Sequence, residues 1–168
     1  TGDKDPFALR RAALGLMRII IEKNLDLDLH YLIEAGLKLH SQVKFSDELA
    51  DAIYDFIVSR LKAYYADQGV SAEAFEAVRV CKPAHPIDFA KRIEAVRHFS
   101  ELDAAESLSA AHKRIQNILR KLDSAWPEDV NAALFESQAE KDLWQALEQV
   151  REQASSQIAA RDYTAALV

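Results

Sequence analysis

Apolar residues recur along this chain at spacings of three and four, and no stretch of any length alternates as a half-buried strand would. In 168 residues there are only 4 Gly and 4 Pro, so little interrupts a helix once it has begun. The expected fold is therefore all-α, a bundle of about seven helices joined by short loops. At this length a chain can bury a real core without disulfides or a metal. Residues 1–168 read as one helical domain, with the two prolines of "CKPAHPID" marking an internal break near 80–87.

Local signals place the helices. Asp5 followed by Pro6 is a helix start, with a capping side chain and proline at the first helical position, and the helix should run to about Lys23. Leu29, Leu32, Ile33, Leu37 and Leu39 outline a short second helix. Ser46 caps a third, which carries Leu49, Ile53, Phe56, Ile57, Leu61 and Tyr64 and ends at Gly69. A short helix from Ser71 to Arg79 follows, then "DFAKRIEAVRHF" with Phe89, Ile93, Val96 and Phe99 on one face. Asp103 and Glu106 form a cap pair before a helix to about Leu122, and Pro127 breaks the pattern. Ser137 and Glu140 form a capping box for a helix bearing Leu143, Trp144, Leu147, Val150, Ala154 and Ile158. Asp162 looks like the cap of one more helix in "RDYTAALV".

Composition narrows the setting. A lone Cys81 has no internal disulfide partner and suits a reducing compartment. No apolar run of about 18 residues and no signal segment is present, so the expected location is the cytoplasm, with no membrane partner. Met17 is the only methionine, and the last residues begin a helix without ending it. The simplest expectation is a piece of a longer protein. A net charge of -6 argues against a domain that coats nucleic acid broadly, but leaves room for a local basic patch.

Two stretches concentrate positive charge. In "DPFALRRAALGLMRII", residues set at 100° intervals put Leu9, Ala13, Leu16 and Ile20 on one arc and Leu14, Met17 and Ile21 on the next. Ile19 and Ala12 lie opposite, which leaves a narrow strip for Arg11, Arg18 and Glu22. Arg18 and Glu22 read as an exposed i,i+4 pair with Arg11 snorkelling to water, or as a phosphate-facing strip. Arg10 falls within the arc of Leu14, Met17 and Ile21, so it is expected to need a partner, a buried carboxylate or a phosphate.

The second stretch is "SAAHKRIQNILRKLDS". Leu108, Ala111, Ile115, Ile118, Leu119 and Leu122 form one stripe, and Lys113, Arg114, Asn117, Arg120 and Lys121 lie opposite. That face is either an ordinary solvated one or a surface for phosphates, with Asn117 placed to read a base edge. Single-stranded RNA is read partly by stacking on exposed rings. Tyr65 and His98 are the candidates, because Tyr64 and Phe99 fit the apolar stripes.

The histidines show no mutual metal-ligand spacing, and no glycine-rich phosphate loop, G-x-S-x-G or H-E-x-x-H occurs. The expectation is no catalytic residue and no metal site in this stretch.

At three places the wording resembles one family. "TGDKDPFALRRAALG" is similar to part of the C-terminal region of the bacterial glycyl-tRNA synthetase β subunit, and its Asp5 to Arg10 matches the motif that gives DALR-type anticodon-binding domains their name. "HFSELDAAESLSAAHKRIQNIL" resembles a second family segment, with His112 where the family usually has Asn, and "RDYTAALV" resembles a third. The resemblance implies a noncatalytic, DALR-like helical module that binds the anticodon stem-loop of glycine tRNA. Its parent would be an α2β2 ligase using ATP and Mg, with the α subunit as protein partner and no cofactor held in this stretch. It carries over to Arg10 and Arg11, the paired arginines of the family, and to Lys113, Arg114 and Asn117. The phosphate-facing set is then Arg11 and Arg18 with the second basic helix, while Arg10 ties the first helix to a neighbour through a structural ion pair. A helical module that docks synthetase subunits is the competing reading.

Overall fold

The computed structural model describes residues 5, 7–40, 46–121 and 130–167. Among them all regular structure is helical, and none of the helices is long and apolar enough to cross a membrane. The expectations for Pro6, Leu122 and Pro127 fall outside these residues. The chain forms two compact units, Thr1–Arg97 and His98–Val168.

The first unit holds α1 (Leu9–Glu22), α2 (Leu29–Lys38), α3 (Asp47–Ser59), α4 (Leu61–Ala66), α5 (Ala72–Arg79) and most of α6 (Pro86–Ser100). Its core joins Met17, Leu29, Ile33, Tyr54, Val58 and Leu61 to a group of rings. Phe89 lies 5.5 Å from Phe75 and 5.8 Å from Tyr65 between ring centres, so α4, α5 and α6 meet on aromatic surface. Each such ring buries a large apolar area, and the group is the densest source of burial in the unit.

Several joints lock this unit. Asp28 and Ser71 cap α2 and α5 by accepting from the N–H groups of Tyr31 and Ala74. Gly69, at φ 82°, closes α4 in the expected left-handed place; Val70 N–H reaches Tyr65 O at 3.0 Å and Gly69 N–H reaches Ala66 O at 3.0 Å. Arg79 forks onto Glu76 at 2.6 and 2.9 Å and reaches Asp55 at 3.1 Å, which ties α5 to α3. The 80–87 stretch is built into this unit: Tyr54 donates its hydroxyl to Pro83 O at 2.9 Å, and Leu29 N–H donates to Ala84 O at 2.8 Å. Burial, with the nearby Asp55 charge adding, pushes the Tyr54 hydroxyl up to about 12.

Three local expectations change. The first helix starts at Leu9, with Ala8 as its left-handed N-cap at φ 55°. Asp5 still serves it from a distance: Ala8 N–H turns back to Asp5 O, and the Asp5 carboxylate accepts from Arg10 N at 3.0 Å and Arg11 N at 3.3 Å. The helix expected from Ser46 to Gly69 is divided at Arg60, and Ser46 makes no side-chain cap. At α7, Ala104 is the N-cap without a side-chain bond, so Asp103 and Glu106 do not cap it.

The second unit holds α7 (Ala105–Leu119), a 3-10 turn (Ala132–Leu134), α8 (Gln138–Ala159) and α9 (Tyr163–Leu167). The capping box of α8 is complete: Ser137 Oγ accepts from Glu140 N–H while Glu140 Oε2 accepts from Ser137 N–H at 2.8 Å. Asp162 accepts from Ala165 N–H at 3.1 Å and so caps α9, as expected. Unlike the first unit, this one buries little; α7 buries only Ala105, and α8 buries no residue.

Two outcomes test these joints. Tyr54→Phe leaves the buried Pro83 carbonyl without its donor, and should lower unfolding stability by about 1–2 kcal/mol with an unchanged denaturant slope. Hydrogen bonds from Ser137 N–H, the Ser137 hydroxyl and Glu136 N–H hold the Glu140 carboxyl below the usual glutamate range. The capping contribution is therefore complete above the ordinary glutamate pKa and is lost as pH falls through the lowered value. Circular dichroism should show acid loss of helix in wild type that Glu140→Gln, which has no carboxyl to protonate, largely removes.

Candidate nucleic-acid interface

The basic residues fall into two groups, one in each unit. On α7 and the turn that follows it, Lys113, Arg114, Asn117 and Lys121 line one shallow hollow of about 360 Å³ with Ala110 and Ile118. All four polar side chains are exposed, and the lining contains no carboxylate. Arg120 is exposed but is not part of the lining, and His112 is exposed beside it in sequence. The spacing of 113, 114, 117 and 121 is a helical i, i+1, i+4, i+8 set, which is why one turn after another delivers a donor to the same side. Such a face offers two ammonium groups, a guanidinium fork and a neutral amide, a combination that binds phosphates and can hydrogen-bond a base edge.

The apolar stripe of this helix does not become core. Leu108, Ile115 and Ile118 are exposed by 54%, 53% and 53%, and Leu143, Leu147, Val150 and Ile158 of α8 are also at least half exposed. Periodicity had suggested buried stripes for both helices. It reports that a helix has an apolar face, not that a partner within the chain covers it.

On α1 the outcome is mixed. Ala13, Met17 and Ile20 are buried, but Leu9, Leu16 and Ile19 are exposed, so the helix is not wrapped in apolar neighbours. Arg10 is exposed too. Its exposure removes the desolvation argument, though Arg10 is not without an interaction partner. Arg18 Nε meets Glu22 Oε1 at 2.8 Å, the i,i+4 pair weighed above, and its guanidinium lies 5.7 Å over the Tyr64 ring. Arg11 is exposed, and no described carboxylate makes an ion pair with it.

The two tyrosines exchange places. Tyr65 was expected to present an exposed ring; it is 5% exposed and packs on Phe75 and Phe89, and its hydroxyl is buried without a partner. Burial, reinforced by Tyr64, raises its pKa well above the usual phenol range. Tyr65 continues the buried face of Tyr54, Val58 and Leu61 at spacings of four, three and four, whereas Tyr64 lies on the adjacent arc. Tyr64 is therefore the more accessible ring, half-buried beside a cavity of about 280 Å³ shared with Gln68, Glu94 and Arg97. His98 is exposed as expected, with Nδ1 4.0 Å from Glu101.

Arg60 and Lys62 escaped the sequence reading, yet they line a hollow with Arg10 and Arg11. Their separation of about 50 positions from those arginines hid the relation, which depends on α1 packing against α3. Among the described residues, no three His, Cys, Asp or Glu side chains gather as metal ligands do.

The basic residues of both units thus lie on exposed or half-buried helical faces. Comparison with known proteins gives the class. Residues 1–80 match the family described as glycyl-tRNA synthetase beta subunit. Over 99% of its length the chain is 45% identical to the glycine–tRNA ligase beta subunit of Pseudomonas aeruginosa, and at the same coverage it is 47% identical to that of Xanthomonas campestris. The subunit from Yersinia pestis is 43% identical. The homologues are thus glycine–tRNA ligase β subunits, aminoacyl-tRNA synthetase chains of which this one spans about a quarter of the length.

Because Arg114 is exposed and outside the core, Arg114→Ala should change unfolding stability by no more than about 0.5 kcal/mol. Tyr65→Ala should cost about 3–5 kcal/mol by leaving a cavity against Phe75 and Phe89. Thermal melts of the two variants check both placements.

Proposed function

We propose that this chain is the anticodon-binding part of a glycine–tRNA ligase β subunit, of the DALR type, and that it holds the anticodon stem-loop while the assembled enzyme charges its tRNA with glycine. The observation that carries this reading is the α7 hollow, where Lys113, Arg114, Asn117 and Lys121 converge without a carboxylate in the lining. The names of the relatives support it. Lys113, Arg114 and Lys121 neutralise phosphates and fix the register of the loop, and the Asn117 amide addresses a base edge. Arg120 and His98 in the second unit and Arg11 and Arg18 in the first contribute further contacts with RNA, and Tyr64 of the first unit replaces Tyr65 as a ring for stacking. The fragment performs no bond-making itself. ATP and Mg are used elsewhere in the parent, and the α subunit completes an α2β2 assembly that works in the cytoplasm.

A second reading, a noncatalytic module that docks synthetase subunits, is favoured by one observation: the half-exposed apolar stripes of α7 and α8. Contiguous apolar surface of this kind is usual where another protein surface packs.

Binding of the chain to a glycine anticodon stem-loop, titrated at two salt concentrations, separates the readings. The expected outcome is preference for the loop ending in two cytosines over one with both replaced, with affinity falling steeply with salt. Arg114→Ala should reduce the slope of log K against log salt by about 1. Indifference to RNA, combined with binding to the α subunit, would assign the surface to protein docking.

A further inference from the structure

We propose that the hollow between the start of α1 and the α3–α4 junction is a second phosphate site, one that grips the sugar–phosphate backbone of RNA at a distance in sequence from α7. It rests on the RNA-binding reading above, shares Arg11 with it, and extends it to Arg10, Arg60 and Lys62, which that reading does not use.

The hollow measures about 480 Å³ and is lined by Arg10, Arg11, Arg60 and Lys62, with Leu14, Ala63 and Ala66 supplying apolar wall. Four cationic side chains thus border one depression in a chain whose net charge is -6. The lining holds no carboxylate. Among the described residues none makes an ion pair with Arg11, Arg60 or Lys62. Two acids lie nearby, Asp5 acting on Arg11 and Glu76 on Lys62 through space, but the Asp5 carboxylate is turned onto the backbone N–H groups of Arg10 and Arg11 and that of Glu76 onto Arg79. Cations gathered around one depression repel one another, and an anion seated among them relieves that repulsion.

Arg60 gives the site its geometry. It is half-buried where α3 gives way to α4, and its guanidinium lies 5.0 Å over the Phe56 ring. Nε donates to Phe56 O and to Ser59 Oγ, both at 3.2 Å, and Nη2 donates to Ser59 Oγ at 2.8 Å. Those bonds occupy one side of the fork and leave both N–H groups of Nη1 and one of Nη2 for a ligand. A stacked and hydrogen-bonded guanidinium loses little freedom on binding, and its planar fork matches two phosphate oxygens. The hollow is wider than one phosphate, and its cations are spread around it. That favours successive backbone phosphates, with a ribose against Leu14, Ala63 and Ala66, over a free phosphate ion.

The test uses the full chain and two variants, Arg60→Gln with Lys62→Gln, and Arg11→Gln with Lys62→Gln. The second pair alters only exposed side chains, so the question stays answerable if the first disturbs the fold. The probe is single-stranded RNA titrated between about 50 and 200 mM salt, with inorganic phosphate as a second ligand followed by amide NMR shifts of residues 59–63. Each lost charge should lower the salt slope by about 0.7, so each double variant should lose about 1.4 and retain wild-type helix content. Lys38→Gln, on α2 and paired with Glu34, should keep the wild-type slope. RNA affinity and slope unchanged in both variants would overturn the site while leaving the α7 reading intact. Phosphate shifts at residues 59–63 with RNA binding unaffected would overturn it in favour of a free-phosphate site. Dependence on Arg60 and Lys62 without cytosine preference would sustain this site and sink the anticodon reading. No RNA binding by wild type at low salt would overturn both.

Discussion

The contact of Tyr65 with Phe89 is the interaction on which the first unit depends. It draws α4 and α6 together, and Phe75 of α5 closes the group. Once Tyr65 is the residue turned inward, Tyr64 is left beside Arg18, and Arg60 and Lys62 are left on the side that α1 approaches. The hollow of cations is in this sense a by-product of aromatic packing. Its charges gather because the core dictates which faces of α1 and α4 remain outside, not because they attract one another.

The two units are stabilised in different ways. The first combines an aromatic core with joints such as Tyr54 to Pro83 and Arg79 to Asp55. In the second, α8 carries a complete capping box and an i,i+3 pair between Arg151 and Glu148, but buries nothing. Capping and surface pairs contribute tenths of a kcal/mol to about one each, far less than burial of a ring. The contrast bears on function, since a face left without apolar cover in the chain is a face available to other molecules.

Much of this was legible from residues alone, for a local reason. Helix type, the caps at Ser71, Ser137 and Asp162, and the stop at Gly69 depend on neighbours within a turn, and each stands where sequence chemistry puts it. The division at Arg60 was not legible, because no Gly or Pro marks it and apolar spacing runs through from Ile57 to Leu61. The choice between Tyr64 and Tyr65 was one between adjacent arcs of a single helical pattern, and the buried arc is the one that carries Tyr54, Val58, Leu61 and Tyr65. Exposure of the stripes on α7 and α8 and of Arg10 escaped for a related reason: periodicity gives a direction around a helix, while cover comes from the rest of the molecule. The exposed basic set on α7 was legible because it lies on one continuous helix, whereas the hollow at Arg60 joins distant segments.

The capping box on α8 has one more implication. A helix of 22 residues is about 33 Å long, and hydrogen bonds along its backbone are protected mainly by whatever packs against it. With no buried residue, α8 opens at little cost between its first turn, held at Ser137, and its last, which adjoins α9 and the buried Tyr163. Amide exchange should therefore be fastest in the middle of α8, in contrast to α4 and α6, whose amides around Tyr65 and Phe89 are backed by the core of the first unit. A helix held at its two ends and open between them can still adjust its exposed face to what it meets.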